Sequence, residues 1–339
     1  MIKVGIVGAG FMGAMHAECY KNLSNAKLEA IADTDLTKAE NLAKKYEAKA
    51  YQRTEDLFKE KDIGIVDICL PTFLHKECAV KAAGAGKNIL CEKPIALTVE
   101  DADEMIEVAN KAGVKFMIAQ VLRFWPEYIK LKDIFDKREL GDLLSITCTR
   151  LSMTPNWAWD NWLTDSKRSG GALVDLHIHD TDFLLCLIGK PLGIFSRMPK
   201  SSLEYGHIFT TYTFPEEIAA FAEGGWDMPD NFPLTMSFTA NFEKGTVEFN
   251  SRWEKSLAVY KPGEEVEYPE VKVELQASAE TGGNISDLGG YFSEIRYFVD
   301  CVENDKMPTL ATGESARDSL KVVLAEKRSI ETGNLIRFG

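Results

Sequence analysis

The sequence predicts an α/β domain built on a doubly wound parallel sheet, followed by an α+β domain with an antiparallel sheet. Over the first third of the 339 residues, apolar strand runs alternate with helical runs, and a glycine-rich loop follows the first strand. Short strand-like runs separated by turn signals dominate the later part. The length favours two domains, and we expect them to span residues 1–122 and 123–339.

The loop GAGFMG follows the apolar run IKVGIV, which is typical of a buried parallel strand. Gly8 permits the tight turn, Gly10 lets the backbone approach a pyrophosphate, and Gly13 lets the next helix pack closely. Phe11 and Met12 open that helix, whose N-terminus offers N–H groups to phosphates. All five residues are therefore predicted to bind a dinucleotide.

The second strand, LEAIAD, ends at Asp33, which lies 20 residues after Gly13. This is the spacing of the dinucleotide-binding fingerprint. The Asp33 carboxylate can accept hydrogen bonds from both ribose hydroxyls of NAD, and it would repel the 2′-phosphate of NADP. Thr34 rather than an arginine follows it. The sequence therefore predicts NAD as the cofactor, with NADP disfavoured.

Polar residues stand just after the next three predicted strands, GIVDICL, NILCE and VKFMIAQ. Helical patterns at 35–45, 74–85 and 99–112 alternate with these strands. Because ligands of such sheets bind at the carboxyl ends of the strands, we expect the polar residues to bind cofactor. They are Thr72, His75, Glu92, Lys93 and Gln120.

Lys93 is also a candidate catalytic and substrate-binding residue. Pro94 follows it and restricts its backbone to extended geometry, so its placement is fixed by the sequence. An ammonium group there could hydrogen-bond a reacting hydroxyl and stabilise an alkoxide-like transition state. The alternative is an ordinary surface lysine.

A helical run is predicted over 172–188, in the stretch VDLHIHDTDF. With about 100° per residue, Asp175, His179 and Asp182 share one stripe, and His177 faces the other way. Two histidines at this spacing cannot chelate one metal, so no metal site is expected. Asp175 can instead orient His179 as a general base and help to bind the substrate. A structural pair is the alternative.

The composition excludes some classes of partner. The net charge of −13 disfavours nucleic acid and anionic membranes, and no apolar run is long enough to span a bilayer. Seven scattered cysteines, without a C-x-x-C motif, indicate reduced thiols. Because the chain opens directly with an apolar strand, we expect no signal peptide and a cytoplasmic protein.

The second part begins with a helical pattern at 126–138 and closes with helices at about 288–303 and 314–331. Its predicted strands include LLSITCTRL, IFTTYTF, IAAFAEGGW, LTMSFTAN and GTVEFN. Arg123 could bind a polar substrate or bridge the domains. Trp157 and Trp162 could form an apolar wall for a sugar ring, or they could be packing residues.

Taken together, these motifs resemble the Gfo/Idh/MocA oxidoreductase family. The resemblance follows the chain in order, through GAGFMG, CEKPIALT, LRFWPEY, SGGALVDLHIHDTDFLL, GTVEFN and LKVVLAEKRSIETGN. It implies an NAD-binding Rossmann domain followed by a substrate-binding and oligomerisation domain with a large, open, mostly antiparallel sheet. The family's catalytic lysine, aspartate and histidine correspond to Lys93, Asp175 and His179. Many relatives have a small residue where this chain has His177.

The resemblance implies an NAD-dependent dehydrogenase of sugars, sugar derivatives or cyclitols that assembles as a homodimer or homotetramer. In this hypothesis His179 removes the hydroxyl proton and Lys93 positions the hydroxyl, while hydride passes to nicotinamide. Three alternatives remain open. They are a redox-neutral, NAD-dependent glycoside hydrolase, a non-catalytic NAD-binding regulatory protein, and reduction of a carbonyl compound in the opposite direction.

Overall fold

A computed structural model of the chain describes residues 1–200, 203–271 and 288–339. The described residues form two compact units. The first contains residues 1–124 and 288–318, and the second contains 125–271, apart from the gap, and 319–339. A late segment thus joins the first unit, although the predicted boundary after residue 122 assigns it to the second domain.

Strands occur in both units of the described residues and are numbered in chain order. They are β1 (Ile2–Val7), β2 (Ala26–Ala32), β3 (Lys49–Tyr51), β4 (Ile63–Ile68), β5 (Asn88–Glu92), β6 (Phe116–Ala119), β7 (Leu143–Met153), β8 (Gly193–Arg197), β9 (His207–Thr213), β10 (Ala219–Met228), β11 (Thr235–Phe242), β12 (Gly245–Asn250), β13 (Leu257–Tyr260) and β14 (Ile336–Arg337).

The α-helices of the described residues are numbered in the same way. They are α1 (Phe11–Lys21), α2 (Leu36–Lys45), α3 (Thr54–Phe58), α4 (His75–Gly84), α5 (Val99–Ala112), α6 (Pro126–Asp136), α7 (Ser166–Ser169), α8 (Ile178–Leu187), α9 (Gly289–Glu303) and α10 (Gly313–Thr332).

The first unit is built on a six-stranded sheet in the order β3-β2-β1-β4-β5-β6, and every pair of neighbours is parallel. This is the strand order of dinucleotide-binding sheets, so the predicted doubly wound sheet is confirmed. Strand β3 and helix α3 were not predicted. Both are short, and their sequences carry little apolar periodicity.

Burial explains why the strands of the first unit read as continuous apolar runs. In a parallel sheet with helices on its faces, successive side chains are covered on both sides. Val4 and Ile6 of β1, Ile31 of β2 and Ile65 of β4 are fully buried, and every residue of β6 is buried as well. Helix α9 packs on α1 and β6 within the same unit.

The second unit is built on an eight-stranded sheet in the order β13-β12-β11-β7-β10-β9-β8-β14. Only the β7–β10 pair is parallel, and the other neighbours are antiparallel, as the sequence predicted. Burial alternates along β9 and β11. Such alternation means that one face of the sheet is packed and the other is more exposed.

An aromatic cluster forms part of the core on the packed face. The Tyr128 ring of α6 lies edge-on to Phe183 of α8, with ring centroids 4.6 Å apart. It also contacts Phe238 of β11 and Phe249 of β12, with centroids 5.1 and 5.5 Å away. These contacts pack two helices on the sheet, because edge-to-face aromatic pairs add to the stabilisation that burial provides.

Two further features bear on membranes and on thiol chemistry. Within the described ranges, no helix combines the length and the apolar composition that a membrane span requires. All seven cysteines are free thiols, six of them buried, so none forms a disulfide.

Candidate active site

The glycine loop joins β1 to α1 with the geometry that the fingerprint requires. Gly8 has a φ of +106°, a value that glycine adopts without strain. A Cβ on Gly13 would lie 1.9 Å from the carbonyl oxygen of Gly8, so only glycine allows the helix to pack this closely. At Gly10 a Cβ would meet no atom within 4 Å, which leaves space in front of the loop for a ligand.

Helix α1 presents its N-terminus at this loop. It begins at Phe11, and Gly10, the residue before the helix, has no side chain to cap the first N–H groups. Phe11 and Met12 are half-buried in the first turn. A helix N-terminus carries partial positive charge and N–H donors, and both suit a pyrophosphate. The loop therefore fits the cofactor that the fingerprint implies.

Asp33 follows β2 and is half-buried beside the same loop. Its Oδ2 accepts a hydrogen bond of 2.8 Å from the Ala9 N–H, and its Oδ1 accepts one of 2.8 Å from the Asp35 N–H. These bonds fix the direction of the carboxylate. Each oxygen retains a lone pair, so the carboxylate can also accept the hydroxyls of a ribose.

Strands β4, β5 and β6 are neighbours, so their carboxyl ends share one edge of the sheet. Of the five polar residues predicted there, Thr72, His75, Glu92 and Gln120 are buried, whereas Lys93 is half-buried. All five residues lie at the expected edge of the sheet, but only the Lys93 side chain is partly exposed there.

The Glu92 side chain and the ring of His75 hold the segment Glu92–Pro94 in place. The Lys93–Pro94 peptide bond is cis. The Lys93 N–H donates a 3.1 Å hydrogen bond to Glu92 Oε2. His75 is fully buried, with Nδ1 2.9 Å from the Pro94 carbonyl oxygen and Nε2 2.8 Å from the Leu70 carbonyl oxygen. Its ring thus contacts the protein backbone on both sides.

A buried polar cluster behind this segment was not predicted from the sequence. His16 of α1 places Nδ1 2.8 Å from Asp67 Oδ2 and Nε2 3.0 Å from Glu92 Oε1. The contact with Glu92 lies outside hydrogen-bond angles and is an ion pair. The Tyr20 hydroxyl donates to the same Asp67 oxygen at 2.9 Å. The Cys69 sulfur lies 3.4 Å from His16 Nδ1.

Two signals in the sequence could have revealed this cluster. One is a charged residue inside an apolar strand, Asp67 in GIVDICL, and the other is the pair His16 and Tyr20, one turn apart on α1. Burial lowers the pKa of His16, but the charges of Asp67 and Cys69 and the hydrogen bonds to them together outweigh burial and raise this pKa well above its usual value. Burial raises the pKa of the Cys69 thiol.

The same cluster is the one group among the described residues with the spacing of a metal site. Ligand atoms of His16, Asp67 and Cys69 lie within 4.8 Å of one another. These groups already bond to one another, and a thiol that stays protonated is a poor metal ligand. The geometry therefore favours a hydrogen-bonded cluster over a metal centre.

The predicted helix at 172–188 is helical, but its first part is not an α-helix. Residues Leu173–His177 form a π-helical turn, which precedes α8. A π turn takes more residues than an α turn, so the assumed 100° per residue does not hold here. Asp175 and His179 are half-buried, whereas Asp182 is buried. Asp182 therefore differs in burial from the two residues with which the predicted stripe grouped it.

Buried polar contacts hold the other face of this segment. His177 is fully buried, with Nε2 3.3 Å from Glu326 Oε2 and 3.2 Å from the Thr210 hydroxyl. Asp182 accepts a 2.6 Å hydrogen bond from the Ser319 hydroxyl. His177 is thus a packed residue, buried where Asp175 and His179 are half-buried.

The strongest of these contacts is a buried ion pair. Asp180 of α8 accepts two hydrogen bonds from Arg150 of β7, at 2.8 and 3.1 Å. Arg150 also donates to the Tyr128 hydroxyl at 3.2 Å. A two-point pair of this kind fixes both the distance and the rotation of the helix on its sheet. It therefore anchors the helix that carries His179.

Three predicted substrate residues have different surroundings. Arg123 donates to the Leu310 carbonyl oxygen at 2.5 Å and to the Ser315 hydroxyl at 3.0 Å, within the first unit. Trp157 is 44% exposed, and Trp162 is half-buried in a 3₁₀ segment of the second unit. Arg123 thus contacts a neighbouring segment of its own unit, and the exposed Trp157 ring is accessible to a ligand.

Comparisons with known proteins match both parts of the chain. Residues 2–120 match the model of an oxidoreductase family with an NAD-binding Rossmann fold, and residues 128–248 match the GFO/IDH/MocA C-terminal domain. The chain is 28% identical over 260 residues to 2,7-anhydro-N-acetylneuraminate hydratase of Escherichia coli, covering 74% of this chain and 68% of that protein.

A second curated relative is inositol 2-dehydrogenase of Rhizobium meliloti, 33% identical over 190 residues and covering 56% of each chain. The chain spans about half the length of several curated relatives that it matches. Levoglucosan dehydrogenase, solved with NADH and levoglucosan, superimposes with a TM-score of 0.86 at 19% identity and covers 99% of both chains. At this identity the likeness shows the fold alone.

The family models follow one another along the chain, and each matches a unit whose sheet has the corresponding architecture. The glycine loop and Asp33 supply the features through which such a sheet binds NAD. The chain belongs to the GFO/IDH/MocA oxidoreductase family and contains its NAD-binding Rossmann fold.

Proposed function

We propose that this chain is an NAD-dependent dehydrogenase that acts on a secondary alcohol of a sugar, a sugar derivative or a cyclitol. The proposal rests on a difference in burial between the candidate catalytic side chains and their neighbours. Lys93 is half-buried next to the buried Glu92, and Asp175 and His179 are half-buried next to the enclosed His177. A relative named inositol 2-dehydrogenase supports the class of substrate.

In the proposed reaction, bound NAD supplies the hydride acceptor, so the chain has to bind, orient and deprotonate the alcohol. His179 removes the proton of the reacting hydroxyl as general base. Asp175 orients the imidazole and stabilises it once it is protonated. Lys93 donates a hydrogen bond to the hydroxyl oxygen and offsets its developing negative charge.

We also propose that NAD is preferred over NADP because of Asp33. Its carboxylate is held beside the glycine loop by two backbone N–H groups, where a 2′-phosphate would be repelled. The dissociation constants of the two cofactors can be compared by isothermal titration calorimetry. Tighter binding of NADP than of NAD would contradict this assignment.

The reaction is tested with NAD and a panel of polyols, aldoses and inositols, following the absorbance of reduced nicotinamide. We expect turnover with at least one member of the panel. His179→Ala should lower kcat by about 10²–10⁴-fold, because general-base help is removed, with little loss of NAD affinity.

The matched control is His207→Ala, which removes a histidine from the larger sheet. That ring bonds to Asp227 and Glu223 and has no role in the proposal. It should leave kcat close to the wild-type value. An unchanged kcat in His179→Ala would remove His179 from the mechanism, and NAD binding without turnover of any panel member would favour the regulatory alternative.

A redox-neutral reaction is the second candidate. The relative with 28% identity over 260 residues is named a hydratase, and adding water to a sugar causes no net oxidation. We expect the two candidates to differ in stoichiometry. A dehydrogenase accumulates one NADH for each product formed, whereas a redox-neutral enzyme, such as a glycoside hydrolase that oxidises its substrate transiently, releases product with only catalytic NAD.

Arg123, Trp157 and Trp162 are proposed as substrate-binding residues in addition to the catalytic groups. The exposed face of Trp157 suits the apolar face of a sugar ring. Replacing this tryptophan by alanine should raise KM for the sugar and leave NAD affinity unchanged. An unchanged KM would assign Trp157 to the surface instead.

The chain is also proposed to form a homodimer or homotetramer in the cytoplasm. Phe209 and Phe221 are half-buried and 6.2 Å apart on neighbouring strands of the eight-stranded sheet, which suits a contact between copies. The seven free thiols suit a reducing compartment. Analytical ultracentrifugation at micromolar concentration tests the assembly, and a monomer would contradict it.

A further inference from the structure

Two buried histidines contact the segment Glu92–Pro94 from two different helices. On the α1 side, His16 Nε2 lies 3.0 Å from Glu92 Oε1, and the other carboxylate oxygen of Glu92 accepts the Lys93 N–H. On the α4 side, His75 Nδ1 lies 2.9 Å from the Pro94 carbonyl oxygen. All of these contacts lie within the first unit.

Each histidine also has a contact through its second ring nitrogen, on the side away from the segment Glu92–Pro94. His16 Nδ1 is 2.8 Å from Asp67, whose carboxylate also accepts the Tyr20 hydroxyl. His75 Nε2 is 2.8 Å from the Leu70 carbonyl oxygen, at the end of the loop that follows β4. An imidazole with contacts on both sides has little freedom to move, so it holds the residues that it contacts in place.

Neither ring can act on a bound molecule directly, because both histidines are fully buried. Any effect that they have on a substrate must pass through the residues they touch. Glu92 and Pro94 stand on either side of Lys93, and the Lys93 N–H is bonded to Glu92. A shift of either neighbour therefore moves the Lys93 backbone and, with it, the start of the Lys93 side chain.

We propose that His16 and His75 are positioning residues that fix Lys93 from both sides. The inference rests on the proposed function of Lys93. His16 acts through the Glu92 carboxylate, and His75 acts by donating a hydrogen bond to the Pro94 carbonyl oxygen. A carbonyl oxygen can only accept, so the contact with Pro94 requires an N–H at Nδ1 of His75.

Paired substitutions separate the two contacts of each ring. In His75→Asn the amide N–H stands near the place of Nδ1 and can still donate to Pro94. In His75→Gln it stands near the place of Nε2 and can donate only to Leu70. For His16 the order reverses, because Gln retains the contact with Glu92 and Asn retains the contact with Asp67.

The first readout is kcat with NAD and the best substrate of the panel, together with KM for both. Misplacing a catalytic group by about 1 Å can cost about 10²-fold in rate. His75→Gln and His16→Asn should approach this loss in kcat with little change in KM for NAD. His75→Asn and His16→Gln should lose clearly less. Equal losses within both pairs, or losses that follow thermal stability alone, would overturn the inference.

The second readout does not need turnover. Hydrogen–deuterium exchange of peptides containing the Lys93 N–H is measured with and without NAD. Exchange should be faster in His75→Gln and His16→Asn than in their paired variants, and equal rates within both pairs would overturn the inference. Should one variant fail to fold, the other pair decides.

Lys93→Ala is measured in the same series. A wild-type kcat in this variant, or an absence of turnover in the wild type, would contradict the proposed function of Lys93. The exchange rates would still decide whether the two histidines fix the segment. The failure of the inference is therefore distinguishable from the failure of the proposed function.

Discussion

Two segments carry the proposed catalytic groups, and buried charges hold them in different ways. The helical segment with Asp175 and His179 is held to its sheet by Arg150 and Asp180. The strand-end segment with Lys93 is held by contacts of His16 and Glu92. Arginine stays charged at every accessible pH, whereas histidine and glutamate titrate. The Arg150–Asp180 pair therefore keeps its cation at every accessible pH, whereas the cation of the strand-end pair depends on the protonation of His16.

A second carboxyl group adds to this difference. Glu294 of α9 is fully buried in the first unit, and neither of its oxygens has a hydrogen-bond partner among the described residues. Burial and the nearby charge of Glu92 raise its pKa well above the usual value. The charge of Glu92 and burial thus both favour the neutral form of the Glu294 carboxyl group.

The largest expected effect comes from breaking the support of the helical segment. Asp180→Ala leaves the Arg150 guanidinium buried without its carboxylate and should lower the free energy of unfolding by about 3–5 kcal/mol. Urea unfolding at pH 6 and pH 9 should give the same loss. The control is Asp136→Ala, which breaks an exposed pair with Lys132 on α6 and should cost much less. A loss in Asp180→Ala as small as in the control would contradict the comparison.

The next largest expected effect is a pH-dependent change in the free energy of unfolding, caused by Glu294. Because the folded pKa of Glu294 is raised, the native state holds this proton more tightly than the unfolded state. Stability is then fully present below the unfolded pKa of about 4.3 and falls as pH rises towards the folded pKa. Glu294→Gln removes this loss, so its advantage over the wild type should be absent near pH 4 and grow with pH.

Urea unfolding of both proteins from pH 4 to pH 9 measures this advantage. Glu107→Gln, which removes an exposed carboxylate from α5, serves as the control and should give a nearly constant difference. Parallel stability curves for Glu294→Gln and the wild type would show that Glu294 ionises as it does in the unfolded chain.

The smallest expected change in stability is at Gly10, on the ligand side of the first unit. Gly10→Ala should change the free energy of unfolding by about 1 kcal/mol or less, because no protein atom lies within 4 Å of the new Cβ. The same Cβ would occupy the space of the pyrophosphate, so we expect NAD to bind about tenfold or more weakly, which corresponds to about 1.4 kcal/mol. Unchanged NAD affinity by calorimetry would place the pyrophosphate elsewhere.

Much of the first unit could be predicted because its pattern is local. The strand Asn88–Glu92 and the helix Val99–Ala112 have the limits that the sequence predicts. The glycine spacing and Asp33 also predicted the loop correctly, because each glycine answers a steric need of its nearest neighbours. Local patterns of this kind are readable without any knowledge of distant contacts.

The rest depended on tertiary contacts that no local pattern contains. The π turn at Leu173–His177 lies where His177 and Asp180 contact residues far away in the sequence, including Glu326 and Arg150. His75 was predicted to bind cofactor from its place near a strand end, yet its ring is enclosed between two backbone carbonyls. Position along the chain indicated the right edge of the sheet, but not which side chains remain exposed.

The central proposal is that Lys93 and His179 both take part in the oxidation of the alcohol. It is tested most directly by kcat, with NAD and the panel substrate, for Lys93→Ala, His179→Ala and the double variant. We expect each single variant to lose about 10²–10⁴-fold. The double variant should be about as slow as the slower single one, because groups that act as a unit are not additive. Losses that multiply in the double variant, or a single variant with the wild-type rate, would contradict the claim.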